Sequence, residues 1–200
     1  MKLATLLLTV RRLVSAIVLL SVTPIGLALE PDLAAPTKES VYQLNIKLQD
    51  QNGQTLPWSA NRGRVRVVTM FYSSCPHTCP LTIEAIKTLE SHLHALSRER
   101  LEVDLISLDP DRDTPAKLKA TAKIRSVDEL RWHLYRTDTA SVRLIAGLLG
   151  IQYRQLPDGE FNHSSTLVLL DAKGRILAKS EQTGKEDQKF IIAVARALAR

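Results

Sequence analysis

Hydrophobic and polar positions along this chain switch between two periods. Val41, Leu44, Ile46 and Leu48 give a rough strand pattern that ends at Asp50-Gln51-Asn52-Gly53. Asn-Gly is a strong hairpin signal, so residues 54–58 read as the return strand. Residues 64–72 are rich in β-formers. Val65, Val67, Val68, Met70 and Phe71 leave little polar alternation there, as a strand covered on both faces requires. After Pro80 the period changes. Leu81, Ile83, Ile86, Leu89, Leu93 and Leu96 fall at helix spacing. Pro80 suits the first helical turn, where its missing N–H costs nothing.

The alternation continues to the C-terminus. Residues 101–108 predict a second strand, and Thr114-Pro115 opens a helix with Thr114 as N-cap and Pro115 at the first helical position. Residues 131–135 form a short strand, and residues 141–149 a helix stopped by Gly150. Pro157-Asp158-Gly159 is a turn. Residues 165–170 and 175–179 pair as strands around Asp171-Ala172-Lys173-Gly174, and residues 185–198 close the chain as an amphipathic helix. Alternating strands and helices followed by a terminal hairpin and helix predict an α/β fold: a thioredoxin-like three-layer sandwich with an N-terminal β-hairpin.

The first 28 residues do not fit this pattern. Lys2, Arg11 and Arg12 precede an apolar run, and Gly26-Leu27-Ala28 places small residues at a cleavage site. This describes a secretory signal. The rival is an uncleaved membrane anchor, because residues 13–29 reach the short limit of a spanning helix despite Pro24. Either reading exports the remainder, with the periplasm as default compartment. Residues 29–40 read as a linker and residues 41–200 as one domain. The three basic residues of the leader carry half of the formal +6 charge and leave +3. The remaining charges are interspersed, which argues against a nucleic-acid partner.

Cys75 and Cys79 are the only cysteines. They sit between the strand at 64–72 and the helix after Pro80, where helix-terminal N–H groups and the dipole favour thiolates. A bridge across so small a loop adds little chain-entropy stabilisation, so a structural disulfide is the weaker reading. Redox chemistry and soft-metal binding both use thiolates, and the spacing leaves both open. Two thiolates suit linear Cu(I), and a third ligand would admit Cu(II). Of the five histidines, His92 and His94 lie two apart on a helix and face apart. His133 reads as structural. His163 reads as a loop residue at a sheet edge, where either surface or ligand roles are open. Asp109-Pro110-Asp111-Arg112-Asp113 begins like a calcium loop, but Thr114 and Ala120 stand where Gly and Glu are needed. That segment reads as a turn and helix cap.

Three co-ordered motifs resemble the Sco/SenC family of copper-binding, thioredoxin-like proteins. They are Phe71-Tyr72-Ser73-Ser74-Cys75-Pro76-His77-Thr78-Cys79-Pro80, Ser107-Leu108-Asp109-Pro110-Asp111-Arg112-Asp113-Thr114-Pro115, and Asn162-His163-Ser164-Ser165. The resemblance covers about residues 41–198. It implies that Cys75, Cys79 and His163 ligate copper, as Cu(I) or Cu(II). It implies a metallochaperone that delivers copper to a respiratory oxidase subunit or another periplasmic copper protein. The alternative it carries is a thiol-disulfide oxidoreductase that uses Cys75 and Cys79 as a catalytic pair to keep a redox partner's cysteines reduced. His77 departs from the family pattern, which has Asp there; as imidazole it could compete for the metal or tune a thiolate. A peroxiredoxin would have Thr at the position of Tyr72, so peroxidase chemistry is set aside. Membrane contact is expected only through the N-terminal anchor.

Overall fold

The structure is a computed structural model that describes residues 37–76, 78–182 and 186–200. The signal or anchor expected over residues 1–28, most of the linker, and His77 lie outside the described residues. The chain forms a thioredoxin-like α/β sandwich. Among the described residues, no helix is long and apolar enough to cross a membrane.

The N-terminal strand is shorter than its apolar pattern predicts. Val41–Gln43 is a 3-10 turn capped by Ser40, and only Lys47–Asp50 (β1) is extended. Val41 and Tyr42 are consecutive buried residues, which a strand cannot place on one face. They are pinned instead to the turn at Gly174. Val41 N–H donates to the Gly174 carbonyl at 2.9 Å. The Tyr42 ring lies so close that a β-carbon at Gly174, where φ is +80°, would stand 2.4 Å from it. Thr55–Pro57 (β2) pairs antiparallel with β1 around the Asn-Gly turn.

Val65–Phe71 (β3) and Leu101–Ser107 (β4) are adjacent parallel strands at the centre, and Trp132–Arg136 (β5) continues the parallel set. Between β3 and β4 lies Thr78–Ser91 (α1), followed by the short Ala95–Arg98 (α2). The single helix expected through Leu96 is therefore two, and Leu96 is exposed. Pro115–Ile124 (α3) begins as its sequence dictates. Thr114 accepts from the Lys117 N–H, and Pro115 occupies the first turn. Thr139–Leu149 (α4) is capped by Asp138 and ends on Gly150 at φ +73°.

Tyr153–Gln155 (β6) and Phe161–His163 (β7) form a separate two-stranded ribbon. Leu167–Leu170 (β8), antiparallel to β3, and Ile176–Ser180 (β9), antiparallel to β8, complete the main sheet, and Gln188–Leu198 (α5) closes the chain. The sheet order is β2-β1-β5-β4-β3-β8-β9. Every residue of β4 and β8 is buried, and all but the first of β3. The sheet is thus covered on both faces, as the missing alternation in β3 predicts.

Candidate metal centre

The site forms at the carboxyl ends of the parallel strands β3 and β4, where such sheets place their ligands. The chain leaves β3 at Phe71 and turns into α1 through the cysteine loop. Cys75 N–H donates to the Tyr72 carbonyl at 3.2 Å. The Cys79 N–H, in the first turn of α1, points at Cys75 Sγ at 3.3 Å, and Thr78 Oγ1 lies 3.2 Å from the same sulfur. A helix-terminal N–H otherwise lacking a partner is thus given to a sulfur. Both cysteines are buried, and no disulfide joins them.

The ribbon of β6 and β7 carries the third residue. His163 is the last residue of β7, paired across from Tyr153, and not a loop residue as expected. The Pro157-Asp158-Gly159 turn closes this ribbon. Leu156 N–H donates to the Glu160 carbonyl at 2.7 Å, and Gly159 adopts φ +85°. Three-residue strands are too short for a residue period to reveal them. His163 Nε2 lies 3.7 Å from Cys79 Sγ, and the candidate ligand atoms of Cys75, Cys79 and His163 all lie within 4.8 Å of one another. Nδ1 lies 3.1 Å from the Ser164 carbonyl. A carbonyl only accepts, so Nδ1 carries the proton and Nε2 offers a lone pair toward the sulfurs. Two sulfurs and one unprotonated imidazole nitrogen form a donor set suited to copper.

The electrostatics depart from the sequence expectation at one cysteine. Burial pushes the Cys79 thiol well above its ordinary value, and the neighbouring Cys75 and Asp113 push the same way. Desolvation outweighs the helix dipole here because only 3% of Cys79 is exposed. Burial also lowers the His163 pKa, against a weaker opposing effect of the Ser164 carbonyl. Both shifts favour the uncharged forms, the neutral imidazole and the protonated thiol.

His92, His94 and His133 lie away from this site. His92 pairs with Glu186 at 3.1 Å, His94 precedes α2, and His133 lies 2.6 Å from Glu102. The segment read as a turn and helix cap does more than cap. Asp113, fully buried, accepts from Ser73 N–H at 3.0 Å, from the Ser73 hydroxyl, and from Ser107 Oγ at 2.6 Å. It fastens the start of the cysteine loop to the end of β4. Arg112 bonds Asp109 and donates to the Gly159 carbonyl at 2.5 Å, on the ribbon that carries His163. Residue spacing contains no sign of these two attachments, since both partners are distant in sequence.

The SCO1/SenC family model matches residues 34–199. A Stutzerimonas stutzeri protein named for copper binding is 37% identical over 87 residues, which is 44% of this chain and 42% of that protein. The match thus spans less than half the length of that relative. Copper-bound ScoI of Bradyrhizobium japonicum superposes with TM-score 0.62 at 23% identity, over 77% of this chain and 95% of that one. BsSco, a member of the Sco family of cytochrome c oxidase assembly proteins in which a disulfide switch was identified, gives TM-score 0.66 at 19% identity. It covers 82% of this chain and 96% of its own. At such identities the superpositions establish a shared fold. The family match spans most of the chain and includes all three site residues, so the chain belongs to the SCO1/SenC family.

Proposed function

We propose that this protein binds copper through Cys75, Cys79 and His163 and passes it to a recipient, a respiratory oxidase subunit or another copper protein. The observation that carries the reading is the convergence of two sulfurs and an unprotonated imidazole nitrogen within 4.8 Å. Family membership and the copper in the Bradyrhizobium structure support it. The leader pattern of residues 1–28 supports an exported protein, periplasmic and either released or anchored. Soft thiolates favour Cu(I), and the imidazole makes Cu(II) acceptable. A site divided between the cysteine segment and a separate ribbon can surrender its ion by ligand exchange with a partner.

Thiol-disulfide exchange is the second reading. Cys75 and Cys79 lie close together without a disulfide between them, and BsSco carries a disulfide switch. In that reading Cys75 attacks and Cys79 resolves the mixed disulfide, without need of His163. One comparison separates them: Cu(I) and Cu(II) affinity and disulfide reductase activity in wild type, His163→Ala and Cys75→Ser. Copper transfer predicts that His163→Ala weakens Cu(II) binding about 10- to 100-fold and that Cys75→Ser removes Cu(I) binding. Unchanged copper affinity in His163→Ala together with intact reductase activity would replace the first reading by the second.

A further inference from the structure

The ribbon of β6 and β7 pairs with no strand of the main sheet. Side chains must therefore decide where its last residue, His163, stands relative to the cysteine loop. The bond from Nδ1 to Ser164 fixes the ring only to its own ribbon. Two groups reach across. Tyr72, three residues before Cys75, donates its phenol to Glu160 Oε2 at 3.0 Å and accepts from the Phe161 N–H at 3.4 Å. Its ring stands edge-on to His163 at 5.9 Å and tilts against Phe161 at 5.3 Å. From the other side Arg112 donates to the Gly159 carbonyl at 2.5 Å, and its Nη1 lies 3.7 Å from Glu160. That ion pair is partly exposed and weak by itself. The hydrogen bonds give it a fixed geometry, since Asp109 holds Arg112 from behind.

We infer that Tyr72, Glu160 and Arg112 form a latch that seats His163 over the two sulfurs and thereby sets how well the site accepts Cu(II) relative to Cu(I). The inference rests on the copper reading above and adds the residues that tune it. None of the three is a ligand; they are positioning residues. Cu(I) is satisfied by two thiolates, whereas Cu(II) gains from the nitrogen. Releasing the latch leaves both sulfurs in place and lets the imidazole swing away. Loss should therefore fall on one oxidation state.

The test is anaerobic titration of the full chain with Cu(I) under a competing chelator and with Cu(II). Imidazole ligation is read by nitrogen superhyperfine splitting in the electron paramagnetic resonance spectrum. Tyr72→Phe keeps the ring and loses the hydroxyl, Glu160→Ala loses both bridges, and Glu160→Gln retains an acceptor for Tyr72. Glu160→Ala should lower Cu(II) affinity by about tenfold or more and blur the nitrogen splitting, with Cu(I) affinity changed far less. Tyr72→Phe should follow it, and Glu160→Gln should recover most of the loss. In a His163→Ala background, Glu160→Ala should cost no further Cu(II) affinity, which a general structural role would not spare. Equal losses for both ions, or a full Cu(II) loss in the absence of His163, would overturn the latch. Retained Cu(I) binding certifies the fold of each variant. A wild type that binds neither ion would overturn the copper reading and the latch with it; a wild type that binds both with no variant effect sinks the latch alone.

Discussion

His163 and Cys79 are kept ready for a metal by opposite uses of burial. The half-buried imidazole, its pKa lowered and its Nδ1 proton directed at Ser164, offers Nε2 without deprotonation. The Cys79 thiol is buried protonated and must lose its proton to ligate. In the proposed copper site, each ion bound at neutral pH would therefore displace the Cys79 proton, while His163 would release none. Cu(I) affinity should rise about tenfold per pH unit between about pH 6 and pH 8, with the sign set by the raised thiol. Chelator competition across that range measures it; a flat profile would mean that Cys79 is already ionised. Without metal the same group acts on stability in the opposite sense. The unfolded thiol ionises near about pH 8.5 while the folded one resists, so folding stability falls as pH rises above that value.

At the scale of elements, Asp109–Thr114 joins the two halves of the site. Thr114 caps α3, Asp113 binds the cysteine loop, and Arg112 binds the ribbon. The cap is a local bond between neighbours in sequence, which is why the Thr-Pro pair announced it. The other two attachments run from Asp113 to Ser73 and from Arg112 to Gly159, so residue types hinted at chemistry here without naming the partner. Asp113→Ala leaves the buried Ser107 hydroxyl, the half-buried Ser73 hydroxyl and the Ser73 N–H without their acceptor. It should cost about 3 kcal/mol in chemical denaturation. A loss below about 1 kcal/mol would mean that water or the loop itself replaces the carboxylate.

The whole molecule separates its metal chemistry from a second buried polar centre. Arg66, at the opposite end of β3 from the cysteine loop, pairs with Asp104 of β4 at 2.6 Å, and both are almost wholly buried. Asn61 donates to Asp104 at 3.2 Å, Arg66 Nε donates to the Asn61 carbonyl at 2.7 Å, and the Tyr42 and Tyr135 hydroxyls close the cluster. Burying two charges gains little net stability, but removing one partner leaves the other uncompensated. Asp104→Asn should destabilise the protein by about 3–5 kcal/mol in urea, without changing copper affinity in the folded fraction. Equal sensitivity of copper binding would show that the two ends of β3 are coupled.

The order of the main-sheet strands, the double burial of β3, the N-cap of α3 and the glycine stop of α4 were present in the sequence, and three motifs marked Cys75, Cys79 and His163 as candidate ligands. Each depends on neighbours within one or two turns, or on three motifs in a fixed order. Val41–Gln43 was misread because an apolar run does not say whether a distant glycine turn will dock on it. The ribbon of β6 and β7 escaped because its strands are too brief to show a period. Cys79 is pushed away from the expected thiolate for a tertiary reason: a helix terminus favours charge, but burial, which raises its pKa, is decided by what packs around it. Sequence thus determined which donors the protein brings to its site. Only the tertiary structure decided that a separate ribbon, latched by side chains far apart in the chain, carries the imidazole to the sulfurs, because such contacts leave no local pattern.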